Sequence, residues 1–232
     1  MATFACIHGA GGRGSDWRLV AAELEARGHE VIAPDLPCED PVGLDGCAAS
    51  VIEAIGDRTD LVLVAHSLGG LVAPVVASRI PVEAMVFVTA MVALPGEAGG
   101  EWWGNVGQAE AMAAQHLPDD SDETVFLHDV PPGLLASFEP SRDQTGEVLA
   151  DPSPLVAWPD VVTTFLVCRD DRFFPAAWMA DVVRRRFGVE PEIVPGAHCP
   201  YLSQPVPLAD AIERAWTHRA STPSVTLASS PV

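Results

Sequence analysis

Three side chains in this sequence have the types and spacing for acyl-transfer chemistry: Ser67, Asp171 and His198. A serine hydroxyl is a poor nucleophile near neutral pH. It needs a base within hydrogen-bond reach, and the base needs an acid to hold its tautomer. Ser67 stands in Ala65-His66-Ser67-Leu68-Gly69-Gly70, with small residues two before and two after it. This is G-x-S-x-G with alanine in the first glycine place, a spacing that lets strand and helix approach closely across a sharp turn. Tetrahedral chemistry also needs preorganised donors, and the backbone N–H groups of Leu68 and of Ala10, in the loop His8-Gly9-Ala10, are the candidates. A serine that merely caps a helix is the competing reading. The flanking strand and helix patterns make it the weaker one.

These residues must be delivered by alternating elements. Apolar runs predict strands at Thr3 to Ile7, Glu30 to Ala33, Leu61 to Ala65, Met85 to Thr89, Val161 to Val167 and Glu192 to Val194. Helical patterns fall at 15–27, 44–57, 176–187 and about 205–218, with a further helix after Ser67 running through Ile80. Strand and helix in alternation predict an α/β fold with a mainly parallel sheet. Asp171 and His198 then follow the last two strands, so all three groups gather at the carboxyl edge of one sheet.

The first loop carries a rival reading. Gly9 to Gly14 spells G-x-G-x-x-G after a strand, and Asp35 falls about where a dinucleotide fold places its ribose-binding acid. Against an NAD-dependent oxidoreductase, Gly14 is followed by Ser15-Asp16-Trp17 rather than by an apolar helix start. An oxyanion loop is the preferred reading. Residues 95–159 break the rhythm, and an insertion of that length between sheet strands predicts a cap. Trp102, Trp103 and Phe126, with Leu127, supply apolar surface for a pocket roof, and Cys199 beside His198 is expected to line the pocket rather than to act as a thiol nucleophile. The tail at 221–232, rich in Ser, Thr and Pro, is expected to be disordered, leaving one domain over 1–220.

Composition narrows the function classes. The formal net charge of -19 opposes binding to nucleic acid or to an anionic membrane surface. All 13 basic residues are arginine, which removes lysine Schiff-base mechanisms. The 5 cysteines show no C-x-x-C spacing, and no His/Cys/acid group has ligand spacing, so neither a metal nor a disulfide framework is expected. No leader pattern or bilayer-length apolar run is evident, which gives a cytoplasmic expectation. The predicted partner is a small-molecule substrate, with no cofactor; nothing in the pattern bears on oligomeric state.

Taken together, the H-G-A loop, the A-H-S-L-G-G turn, C-R-D-D-R-F-F-P at 168–175 and G-A-H-C-P at 196–200 resemble the α/β-hydrolase superfamily. More narrowly, they are similar to its compact esterase branch, which includes plant methylesterases, hydroxynitrile lyases and bacterial relatives. The resemblance spans roughly residues 3 to 217. It implies Ser67 as nucleophile, His198 as base and Asp171 as acid, with Ala10 and Leu68 as oxyanion donors. Asp171 is preferred to Asp170, and to the more distant Glu97, because the branch places its acid four residues before a proline, here Pro175. The hydroxynitrile lyases of this branch use a lysine after the histidine and a threonine in the oxyanion loop. Here Cys199 and Gly9 occupy those places, which argues against cyanohydrin cleavage. The implied activity is hydrolysis of a carboxylic ester of a small to medium, largely apolar substrate through an acyl-enzyme. The rivals are a non-hydrolytic cyclase or lyase on the same fold and a non-catalytic small-molecule receptor.

Overall fold

A computed structural model describes residues 1–222 together with Val225 and Leu227. Most of the tail expected to be disordered lies outside the described residues. Among the described residues six strands form one sheet: β1 (Thr3–Ile7), β2 (Glu30–Ile32), β3 (Leu61–His66), β4 (Ala84–Val88), β5 (Val162–Cys168) and β6 (Glu192–Val194). Their spatial order is β2-β1-β3-β4-β5-β6, and every pairing is parallel. The central strands β1, β3 and β4 are mainly apolar and buried along their whole length, because both faces of a parallel sheet are covered by helices. Period-two alternation divides β1 accordingly, with Ala5 and Ile7 in one core cluster and Phe4 and Cys6 in the other. The edge strands β2 and β6 are only three residues each, which limits unpaired backbone at the sheet's margins.

The first face is covered by α2 (Leu44–Ile55), α3 (Gly69–Ala77) and α9 (Ala176–Phe187), and the opposite face by α1 (Arg18–Ala26) and α11 (Pro205–Thr217), which lies against α1. Helix α3 is apolar all round and buried from Gly69 to Val76, packed between α2 and the central strands. Helix α2 ends at Ile55, two residues before the sequence pattern does, because Gly56 takes a φ of 59° and turns the chain away.

Between β4 and β5 the insertion folds into short helices α4 (Gly99–Val106), α5 (Gln108–Ala113), α6 (Asp122–Val125), α7 (Pro132–Leu135) and α8 (Glu147–Ala150). A last short helix, α10 (Pro200–Ser203), follows β6. The sheet order reverses between β1 and β3, which pair in register from Thr3–Leu61 to Ile7–Ala65. A crevice opens at the carboxyl ends of strands at such a reversal. Here it is flanked by the loop after β1 and the turn after β3.

Candidate active site

Ser67 lies at the turn between β3 and α3, with a φ of 48°. That left-handed conformation is costly for a residue with a Cβ, and the surrounding contacts hold it. The Ser67 N–H donates to Val88 C=O, and its own carbonyl accepts from the N–H groups of Gly70 and Met91. Close approach explains the glycine two residues on. A Cβ at Gly69 would stand 2.7 Å from the His8 carbonyl oxygen and 2.8 Å from that of Ile7.

The Ser67 hydroxyl donates to His198 Nε2 at 3.1 Å, and His198 Nδ1–H donates to Asp171 Oδ2 at 2.9 Å. The other carboxylate oxygen of Asp171 accepts from the N–H groups of Phe173 and Phe174 at 2.8 and 2.9 Å. All three side chains are buried. Phe126, Phe173 and Phe174 surround the imidazole with ring centroids 5.1 to 5.3 Å away, excluding water from one side of it. A hydroxyl, imidazole and fixed carboxylate in this order can pass a proton from Ser67 to His198 and leave the imidazolium stabilised.

The other acidic candidates face elsewhere. Asp170 pairs with Arg169 and accepts from the Gly196 N–H, while Glu97 pairs with Arg186 and takes the Asn105 amide. Asp35 accepts from the Gly14 N–H at 2.6 Å, so it closes its own loop instead of presenting a carboxylate to a ribose.

The loop after β1 is held by His8. The Leu36 N–H donates to His8 Nε2 at 2.8 Å, which puts the ring proton on Nδ1, and Nδ1–H donates to the Gly9 carbonyl at 2.7 Å. Burial holds the His8 imidazole below its ordinary pKa and so favours this neutral form. Gly9 C=O and Ala10 N–H belong to one planar trans peptide, so fixing the carbonyl also fixes the direction of the N–H. Leu68 is the N-cap of α3, at the positive end of the helix dipole. Among the described residues neither the Ala10 nor the Leu68 N–H has a protein acceptor. Both are free to receive an oxyanion.

A cavity of about 680 Å³ opens above Ser67. Trp103, Phe126 and Cys199 line it; Trp102 does not. The correction follows from helix geometry. Successive residues on α4 point about 100° apart, so Trp102 turns into the core against Phe174 and Trp178 while Trp103 faces the cavity. Burial pushes the Cys199 thiol up to about 12, leaving it protonated and unreactive at neutral pH.

Local spacing hid several contributors. Thr89, at the end of β4, donates its hydroxyl to Asp171 Oδ2 at 2.5 Å and adopts a φ of 40° to do so. His66 Nε2–H donates to the His198 carbonyl at 2.7 Å, bracing the histidine loop from beside the serine. Asp129, from the insertion, accepts the N–H of Ala197 at 2.8 Å. A polar residue closing an apolar strand could have flagged Thr89; nothing local flags the other two. His29 is tucked against Phe4 and accepts the Ala2 N–H. Among the described residues no three His, Cys, Asp or Glu side chains are grouped to hold a metal, and no helix is long and apolar enough to cross a membrane.

A parallel sheet with a strained serine at its reversal, followed by an acid and then a histidine after the last two strands, defines an enzyme of the α/β-hydrolase type. The alpha/beta hydrolase family model matches residues 4–211, and the chain belongs to that family. It is 27% identical to a pyrethroid hydrolase of Sphingobium wenxiniae, over 89% of this chain and 84% of that protein. Its fold is similar to the crystal structure of a pyrethroid hydrolase from Sphingobium faniae, with a TM-score of 0.75, 23% identity and coverage of 95% of this chain and 99% of the other. It is also similar to polyneuridine aldehyde esterase, with a TM-score of 0.68, 17% identity and coverage of 92% and 98%.

Proposed function

We propose that the chain hydrolyses a medium-sized, largely apolar carboxylic ester through an acyl-enzyme on Ser67. The observation that carries this reading is the Ser67–His198–Asp171 relay placed beneath a cavity of about 680 Å³. Ser67 Oγ attacks the ester carbonyl while its proton passes to His198 Nε2. The Ala10 and Leu68 N–H groups receive the oxyanion. As the tetrahedral adduct collapses, the C–O bond to the alcohol breaks and His198 returns the proton to the leaving oxygen. Water then attacks the acyl-Ser67 ester, giving its proton to His198, and the acid departs as Ser67 recovers its own. The substrate is a small molecule, and the route calls for no cofactor.

Apolar walls including Met91, Trp103, Phe126, Leu127 and Phe173 support an apolar acyl or alcohol group, and a cavity of this volume takes a drug-sized molecule. The test is turnover of p-nitrophenyl esters from acetyl to octanoyl, with a pyrethroid added to the panel after the Sphingobium relatives. The wild type is expected to turn over, and S67A to lose at least about 10³-fold in kcat. A serine-directed phosphonate is expected to add its mass to Ser67. Folded protein that neither turns over any ester nor takes the label would overturn the reading.

A further inference from the structure

The insertion does more than roof the cavity. Its loop between α7 and α8 grips the loop that presents Ala10, and Arg142 makes the principal contacts. The Arg142 backbone N–H donates to the Gly11 carbonyl at 2.7 Å. Its guanidinium Nη1 donates to the Leu36 carbonyl at 2.9 Å, and Nη2 reaches Glu39 at 3.5 Å. The side chain is 11% exposed, so this is a seated guanidinium rather than a surface ion pair.

The ties to Leu36 and to Gly11 converge on Ala10 from both sides. Leu36, whose carbonyl Arg142 holds, donates its N–H to His8, and His8 donates to Gly9 C=O, the other end of the peptide that carries the Ala10 N–H. On the far side, Gly11 is fixed directly. Its φ of 64° belongs to the left-handed region, and a Cβ there would meet the Arg142 carbonyl oxygen at 2.7 Å, so loop and insertion are in close contact. Ser141 Oγ and Gln144 Oε1 add longer contacts to the Gly11 carbonyl and N–H, each at 3.4 Å. The positive charge of Arg142 also favours the neutral form of His8, with Arg13 acting the same way and Asp35 opposing both.

We propose that the Arg142 guanidinium is a positioning group of the oxyanion hole, setting the Ala10 N–H through Leu36 and His8, while the backbone tie to Gly11 stays in place when the side chain is changed. This rests on the esterase reading above. A donor displaced by a fraction of an ångström still lets substrate bind in the cavity but stabilises the tetrahedral oxyanion less, so the cost falls on kcat rather than KM.

The experiment compares R142A and R142K with wild type on the best p-nitrophenyl ester and measures inhibition by a trifluoromethyl ketone. The ketone bonds to Ser67 Oγ, sends the serine proton to His198 and places its oxyanion in the hole. R142A is expected to lower kcat about tenfold, leave KM within about twofold, and weaken the ketone by the same factor as kcat. R142K, which keeps a charge and a donor toward Leu36, is expected to recover part of both losses. If R142A does not fold, R142M, which keeps the apolar stem, takes its place with the same expected losses. Variants with unchanged kcat and ketone affinity would overturn the proposal, as would KM rising in step with the ketone constant, which would mark a deformed cavity. Wild-type protein without turnover or phosphonate labelling would sink the esterase reading and this assignment with it; wild-type turnover with an unaffected variant would sink this assignment alone.

Discussion

Two histidines flanking Ser67 in space are held neutral, and each by a different arrangement. His8 is locked by one donated and one accepted hydrogen bond. His66 donates from Nε2 to the His198 carbonyl, and its buried Nδ1 has no partner among the described residues. Burial pushes the His66 imidazole well below its ordinary pKa, and the neighbouring His198 adds to that. In the unfolded chain both rings take up a proton near pH 6.5, while in the fold they take it up only at lower pH. The unfolded state therefore binds more protons in the window below about pH 6.5, and stability falls as pH falls through it. Above that pH the contribution is fully present. Each such group contributes a slope of about 1.4 kcal/mol per pH unit until its folded pKa is reached. H66Q keeps an N–H for the His198 carbonyl but cannot titrate. Urea unfolding between pH 7 and 5.5 is expected to show a shallower pH dependence for H66Q than for the wild type; equal slopes would mean that His66 is protonated in the folded protein.

The β3–α3 turn works only because helix and strand come within contact of the loop after β1, and glycine substitution reads that proximity directly. G69A would push a methyl against the backbone oxygens of His8 and Ile7, neither of which is a flexible side-chain end. It is expected to lower stability by about 1–3 kcal/mol, and to cost activity by displacing the Ala10 loop. G104A, on the exposed side of α4 with nothing within 4 Å of the new Cβ, is expected to be neutral or to stabilise by about 0.5–1 kcal/mol. Thermal and denaturant melts of the pair check both. Elements of this kind were legible in the sequence because their signals are local. Short apolar runs bounded by turn residues marked all six strands to within one residue of their bounds, and β1, β6 and α9 with the bounds observed. Ser67, Asp171 and His198 were likewise marked by the turns that carry them, and the structure brings them together. What stayed hidden depends on contacts between distant segments. The choice between Trp102 and Trp103 turns on which way a short helix is rolled, while Thr89, Asp129 and Arg142 reach partners 82, 68 and 106 residues away in sequence. No periodicity encodes those distances.

At the scale of the whole molecule, the charge that opposes nucleic-acid binding also bears on which esters would reach Ser67. The net charge is -19, and the cavity repeats that sign locally. Asp16, Asp122, Glu123 and Glu139 line it, whereas its one lining arginine, Arg13, is already paired with Glu139 at 3.1 Å. Burial also raises the pKa of Asp16, so a further negative group beside it meets an environment already unfavourable to charge. A carboxylate-bearing ester is repelled on approach and finds no unpaired cation among the lining side chains, while a neutral ester is indifferent and a cationic one is drawn in. The exposed part of this effect is screened with a Debye length of about 10 Å at 0.1 M salt. Three p-nitrophenyl esters of similar size, one neutral, one bearing a carboxylate and one a quaternary ammonium, therefore separate the contributions. Raising salt from about 0.02 to 0.5 M is expected to increase kcat/KM for the anionic ester, decrease it for the cationic one and leave the neutral one within about twofold. At low salt the anionic ester is expected to be the poorest of the three by about tenfold or more, through KM rather than kcat. An anionic ester handled as well as the neutral one at low salt would mean that the lining carboxylates lie too far from the bound substrate, or are too well screened, to select it.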